Sequence, residues 1–114
     1  LVVDDAKEKA RLFGIYLKAA GADVEVAFRG DQAIELVNGH KFDVILLDLQ
    51  MPGKDGFTVI KELKNKGVET PVIALTAHGM EEEKRKTRNA GFVDHITKPV
   101  KSDLLVERVF SALS

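Results

Sequence analysis

The chain has 114 residues, 45% of them hydrophobic and 31% charged, the size and balance of one globular domain with a core that needs neither disulfides nor a structural metal. Seventeen Lys and Arg against eighteen Asp and Glu leave a net charge of −1, so no bulk field recommends nucleic acid or an anionic membrane as a partner. The absence of cysteine excludes a disulfide framework, a Cys-ligated zinc or iron–sulfur centre and a thiol nucleophile, and is compatible with a reducing cytoplasmic setting.

Short aliphatic runs alternate with longer stretches whose apolar residues fall three and four apart, the signature of an α/β fold. Leu1-Val2-Val3 reads as a first strand cut close to its beginning, so the chain is expected to be a piece of something longer. Ala6, Ala10, Phe13, Leu17 and Ala20 share one helical face over Lys7 to Ala20, stopped by Gly21. Asp23 to Ala27 alternates like a strand, and Gly30 to Val37 is a short helix with Ala33, Ile34 and Val37 inward, closed by Asn38-Gly39. Phe42 to Asp48 is apolar on both faces at its centre, as a parallel strand covered by helices must be, and is placed mid-sheet. Its Val44 to Leu47 run is far too short to span a membrane, and no signal-peptide pattern opens the chain.

Met51 to Gly56 is loop chemistry, after which Phe57, Ile60 and Leu63 trace a helix ending at Gly67. Thr70 to Leu75 is the fourth strand. Met80 to Asn89 is a polar helix with Glu81 placed to pair with Arg85 and Glu82 with Lys86. Its Glu81 to Arg88 charge run reads by default as a solvated face. Phe92 to Thr97 is a fifth strand, followed by Lys98-Pro99 and a helix capped by Ser102, with Leu105, Val106, Val109, Phe110 and Leu113 inward. Five βα units with no repeat or linker predict one domain over residues 1–114, built on a parallel sheet whose ligands bind outside the carboxyl ends of its strands.

Those ends carry Asp4-Asp5, Asp48, Thr76 and Lys98. Carboxylates meeting at one edge repel by about 4 kcal/mol per close pair at ~4 Å and an effective dielectric near 20, so a divalent cation and Lys98 are expected to relieve them. Asp48, after the most apolar strand, is the carboxylate best aimed to attack phosphorus and hold an aspartyl phosphate. Thr76 offers a hydroxyl to a phosphoryl oxygen, and Ala77 leaves the approach open. Singly, each residue has a plainer reading: Asp5 as a helix cap, Asp48 as a turn residue, Lys98 as a solvated loop cation, Thr76 as a cap. Their convergence on one sheet edge favours the chemical reading. His40, His78 and His95 lack ligand-like spacing, which argues against zinc.

Leu1 to Asp5, Val44 to Pro52, Asp55-Gly56, Val72 to Ala77 and Thr97-Lys98-Pro99 together resemble the receiver domain of two-component response regulators. The separations of 43 residues from Asp5 to Asp48, 28 from Asp48 to Thr76 and 50 from Asp48 to Lys98 are similar to the family's, and the resemblance covers essentially the whole chain. It implies a flavodoxin-like (βα)5 sheet in strand order 2-1-3-4-5 with helices on both faces. It implies further that Asp48 is phosphorylated from a phosphohistidine on a histidine kinase or histidine phosphotransfer protein, the domain catalysing its own phosphorylation and dephosphorylation. Mg²⁺, for which Mn²⁺ can substitute, would be bound by Asp5, Asp48 and the backbone carbonyl of Gln50, and by Asp4 through water.

By the same resemblance Lys98 pairs with Asp48 and then with the phosphoryl group, and Thr76 moves toward it, switching the surface of the fourth helix, fifth strand and last helix for a downstream partner. The bond before Pro99 is a cis candidate. His95 stands where the family usually has Tyr or Phe, and an imidazole there could switch rotamer and respond to pH. Gln50 and His78 occupy positions expected to tune the aspartyl-phosphate lifetime. Loop residues such as Ala74 to His78 look most like receivers of hybrid sensor histidine kinases. The isolated domain is expected to be monomeric and cytoplasmic, with no nucleic-acid or membrane contact of its own. The competing reading is a pseudo-receiver that takes no phosphate and acts as a constitutive interaction module. A haloacid-dehalogenase-type phosphatase would want an Asp where Gln50 stands, and a flavodoxin-type carrier a phosphate loop where Asp4-Asp5 stand.

Overall fold

A computed structural model describes residues 1–113. In chain order its elements are β1 (Val2–Val3), α1 (Lys7–Ala19), β2 (Val26–Ala27), α2 (Gly30–Gly39), β3 (Ile45–Asp48), α3 (Gly56–Asn65), β4 (Val72–Thr76), α4 (Glu81–Ala90), β5 (Asp94–Thr97) and α5 (Ser102–Ala112). The strands form one sheet in the order β2-β1-β3-β4-β5, every pair parallel. This is the parallel α/β sheet that the alternation of elements predicts, in the flavodoxin-like order that the family resemblance implies.

The two-residue period of the strands divides the core. Val3, Ile45, Leu47, Val72 and Ala74 face Ala33 and Ile34 of α2 and Val59, Ile60 and Leu63 of α3. Val2, Leu46, Ile73, Leu75 and Ile96 face Ala10, Phe13 and Leu17 of α1 and Leu105 and Val109 of α5. Strand β3 is buried along its whole length, and each of its aliphatic side chains contributes about 1.5–3 kcal/mol by leaving water.

Several local expectations are corrected. The Asp23 to Ala27 strand shrinks to Val26–Ala27, because β2 is an edge strand and β1 offers only Val2 and Val3 to pair with. Ser102 does not cap α5; Lys101 holds the N-cap position and no side chain bonds there. The inward stripe of α5 is Leu105 and Val109, with Val106 half-buried against the same cluster. Phe110, rotated ~100° from Val109, and Leu113, past the end of the helix, are exposed. Ala20 is exposed too. On α4 the ion pair is Lys84 with Glu81 at 3.9 Å; neither Glu81–Arg85 nor Glu82–Lys86 forms among the described residues.

The turn from β3 into α3 depends on Gly56. Asp55 caps α3 by accepting a 2.9 Å hydrogen bond from the Thr58 amide, and the Gly56 amide donates to the Leu49 carbonyl at 3.1 Å. A Cβ on Gly56 would lie 2.7 Å from the Asp48 carbonyl oxygen and 2.8 Å from the Leu49 Cα, backbone atoms that cannot step aside. Gly56→Ala is expected to cost about 1–3 kcal/mol in urea unfolding, whereas Gly39→Ala, with open space around it, should not be destabilising.

Candidate functional site

Pairing Val3 with Leu47 and Val2 with Leu46 carries the register on, so that Asp4 and Asp48 leave the sheet side by side. Both are buried, at 0% and 3% exposure, while Asp5 is exposed. Carboxylate oxygens of all three lie within 4.8 Å of one another. Asp4 Oδ1 accepts from the Ala6 amide at 3.0 Å, which fixes it at the entrance to α1. The plainer reading of Asp5 as a helix cap does not hold: Ala6 is the N-cap, without a side-chain hydrogen bond. Among the described residues Asp5 has no hydrogen-bond or ion-pair partner, so its oxygens stand free.

Lys98 supplies the cation. It follows β5, its amide donates to the Thr76 carbonyl at 2.7 Å, and its Nζ sits 3.2 Å from Asp48 Oδ2 and 3.4 Å from Asp4 Oδ2. One ammonium thus bridges two buried carboxylates. Asp48 Oδ1 accepts from the Gln50 amide at 3.1 Å; the Gln50 side chain points to an exposed position. Burial pushes the Asp48 carboxyl up to about 6, with the Asp4 charge adding to the rise and the Gln50 amide and Lys98 opposing it. The Lys98–Pro99 peptide is cis.

Thr76 and His95 stand one strand over. Thr76 closes β4 opposite Thr97 and is fully buried. Its Oγ1 accepts from the His78 amide at 3.1 Å, lies 3.2 Å from the His78 carbonyl and donates to Glu83 Oε1 of α4. The half-buried His95 reaches the same segment: Nε2 is 3.3 Å from the His78 carbonyl and Nδ1 3.2 Å from Thr87 Oγ1. Thr76 and His95 therefore both hold the backbone of His78, one through its amide and the other through its carbonyl, while its own side chain is exposed. Glu83 and Thr87 were missed because the charge run of α4 reads as a solvated face. No spacing in that run sets them apart, and Thr87 is the buried residue of α4.

An open parallel sheet with an acidic cluster and a lysine at its carboxyl edge defines a signalling domain of the two-component type. The chain belongs to the response regulator receiver domain family, whose model matches residues 1–110. It is 37% identical over 109 residues to the transcriptional regulatory protein DltR of Streptococcus agalactiae serotypes III and V, covering 96% of this chain and 49% of each relative. The chain thus spans about half the length of these curated relatives. Among solved structures it is similar to the Francisella response regulator 1452 receiver domain, with a TM-score of 0.94 and 37% identity over 98% of this chain and 93% of that one. It is also similar to Vibrio cholerae chemotaxis protein CheY4, with a TM-score of 0.93 and 28% identity over 98% of this chain and 95% of that one. Among the described residues no helix is long and apolar enough to cross a membrane.

The raised Asp48 carboxyl fixes a pH dependence. Between pH 3.8 and about 6 the folded chain holds a proton that the unfolded chain releases, so this group's contribution to stability is complete below that window and is lost as pH rises through it. Asp48→Asn carries no charge to desolvate. The variant should exceed the natural chain by about 1–3 kcal/mol at pH 7.5, with the gap closing as pH falls toward 4, as measured by urea unfolding across that range.

Proposed function

We propose that this chain is the phosphoacceptor module of a two-component phosphorelay. An Asp48 oxygen attacks the phosphorus of a phosphohistidine on a histidine kinase or histidine phosphotransfer protein, the P–N bond breaks, and the imidazole departs as aspartyl phosphate forms. Attack by water later releases inorganic phosphate and restores the carboxylate. The observation that supports this reading above all is a buried carboxylate at the end of the central strand, held by the Gln50 amide and Lys98 and flanked by two further carboxylates.

The donor set fits a hard divalent cation, being all oxygen, anionic and convergent. Asp5 has both oxygens free, whereas those of Asp4 are engaged by the Ala6 amide and Lys98. This supports direct ligation by Asp5; Asp48 and the Gln50 backbone carbonyl are assigned to the same shell, with Asp4 acting through water, on the family resemblance. Mg²⁺, or Mn²⁺ in its place, would neutralise charge on the phosphoryl oxygens there. Lys98 already rests on Asp48 and is placed to follow charge onto the phosphoryl group.

Thr76 is read as the hydroxyl that meets the phosphoryl group, and His95 as its partner in shifting the α4-β5-α5 surface toward a downstream protein. Such a shift is a redistribution between two states biased by new charge. The exposed Gln50 and His78 side chains flank the approach of water and are assigned to tuning the phosphate lifetime. We place the domain in the cytoplasm and read it as monomeric in isolation. For the parent protein, the loop sequences support a hybrid sensor histidine kinase, and the curated relatives support a transcriptional regulator.

Incubation with Mg²⁺ and acetyl phosphate should add one acid-stable, base-labile phosphate by intact mass, dependent on Mg²⁺ and absent from Asp48→Asn. A folded chain that takes no phosphate from this donor or from a phosphohistidine protein would instead be a constitutive interaction module. In the absence of any phosphodonor, Mg²⁺ at one hundred times its Kd should stabilise the fold by ~2.7 kcal/mol, an effect that Asp5→Asn should largely remove in thermal unfolding. Replacing Gln50 and His78 together should change the rate at which the added phosphate is lost.

A further inference from the structure

We infer that Glu83 is a positioning residue that opposes phosphorylation-linked switching by holding the one proton of the Thr76 hydroxyl. This rests on the reading of Asp48 as phosphoacceptor and concerns the regulation of that same site. A threonine hydroxyl has a single hydrogen to donate. In this structure Thr76 Oγ1 faces two acceptors, the Glu83 carboxylate and the His78 carbonyl, and it accepts from the His78 amide. The carboxylate is the stronger acceptor because the bond is charge-assisted. While that bond stands, Thr76 cannot donate to a phosphoryl oxygen.

The surroundings of Glu83 give its carboxylate little else to do. Among the described residues it forms no ion pair; the α4 lysine next to it, Lys84, turns to Glu81. Thr76 is fully buried, so water competes poorly for its hydroxyl. Turning Thr76 toward a phosphoryl group therefore breaks the bond that ties β4 to α4 and leaves α4 without this anchor. The same one-proton rule makes Glu83 and the phosphoryl group competitors.

The competition is measurable without a kinase. Beryllium trifluoride with Mg²⁺ mimics a phosphoryl group on a carboxylate, and its Kd can be followed through the amide resonances of Gln50 and Gly79. Glu83→Ala should tighten its binding about tenfold, the equivalent of ~1.4 kcal/mol, and Glu83→Gln, which keeps a neutral acceptor, should tighten it less. In a Thr76→Val background, where no proton is contested, the Glu83 substitutions should have no effect. Unchanged or weakened binding in both folded Glu83 variants overturns the inference, as does a tightening that persists with Thr76→Val. Failure of the natural chain to bind beryllium trifluoride overturns the Asp48 reading itself, and this inference with it.

Discussion

Two parallel strands in register set two carboxylates side by side, and much of the molecule answers the charge this creates. Asp4 and Asp48 are both buried, and the single ammonium of Lys98 lies within 3.4 Å of each. Their electrostatic repulsion is not relieved by solvent, since the strands that carry them are enclosed by helices on both faces. The residual imbalance appears in the raised Asp48 carboxyl. A site built this way is least favourable to the fold when it is empty of cations and fully ionised, and it gains from any added positive charge that fits between the oxygens.

The rest of the sheet edge is organised around holding those groups still. Gly56 lets the chain turn back against the Asp48 carbonyl, Asp55 starts α3 cleanly, and the Lys98 amide is fastened to β4 through the Thr76 carbonyl. Apart from the Asp55 side-chain cap these are backbone devices, so the acidic edge is held for reasons that lie outside its own side chains. In contrast, the link from that edge to α4 runs through side chains alone: Thr76 to Glu83, and His95 to Thr87. Side-chain links can be exchanged one for another without disturbing the sheet.

The fold and the acidic edge were legible because they follow from periodicity and strand ends. A run such as Val44 to Leu47, apolar on both faces, has few homes other than the middle of a parallel sheet, and the residue after it must lie at the sheet's edge. Boundaries were less legible where pairing partners decide them, as in β2, whose length is limited by β1. The face of α5 was overestimated because Phe110 is as apolar as Val109, and only the position of the helix against the sheet separates them. Glu83 and Thr87 were hidden for the opposite reason. Polar residues that satisfy other polar residues leave no hydropathy pattern, and in a segment reading EEEKRKTRNA nothing separates a partnered glutamate from a solvated one.

The small buried area of α4 has a consequence for how the domain breathes. Thr87 is the buried residue of α4, whereas α1 buries Ala10, Phe13, Gly14 and Leu17. With so little apolar surface committed, opening of α4 exposes little that water dislikes, and its amides are expected at the low-free-energy end of native-state hydrogen exchange, below those of the fully buried β3 and β4. On that expectation the fold divides into a slow-exchanging sheet that carries the acidic edge and a faster-exchanging helix beside it, meeting at the backbone of His78.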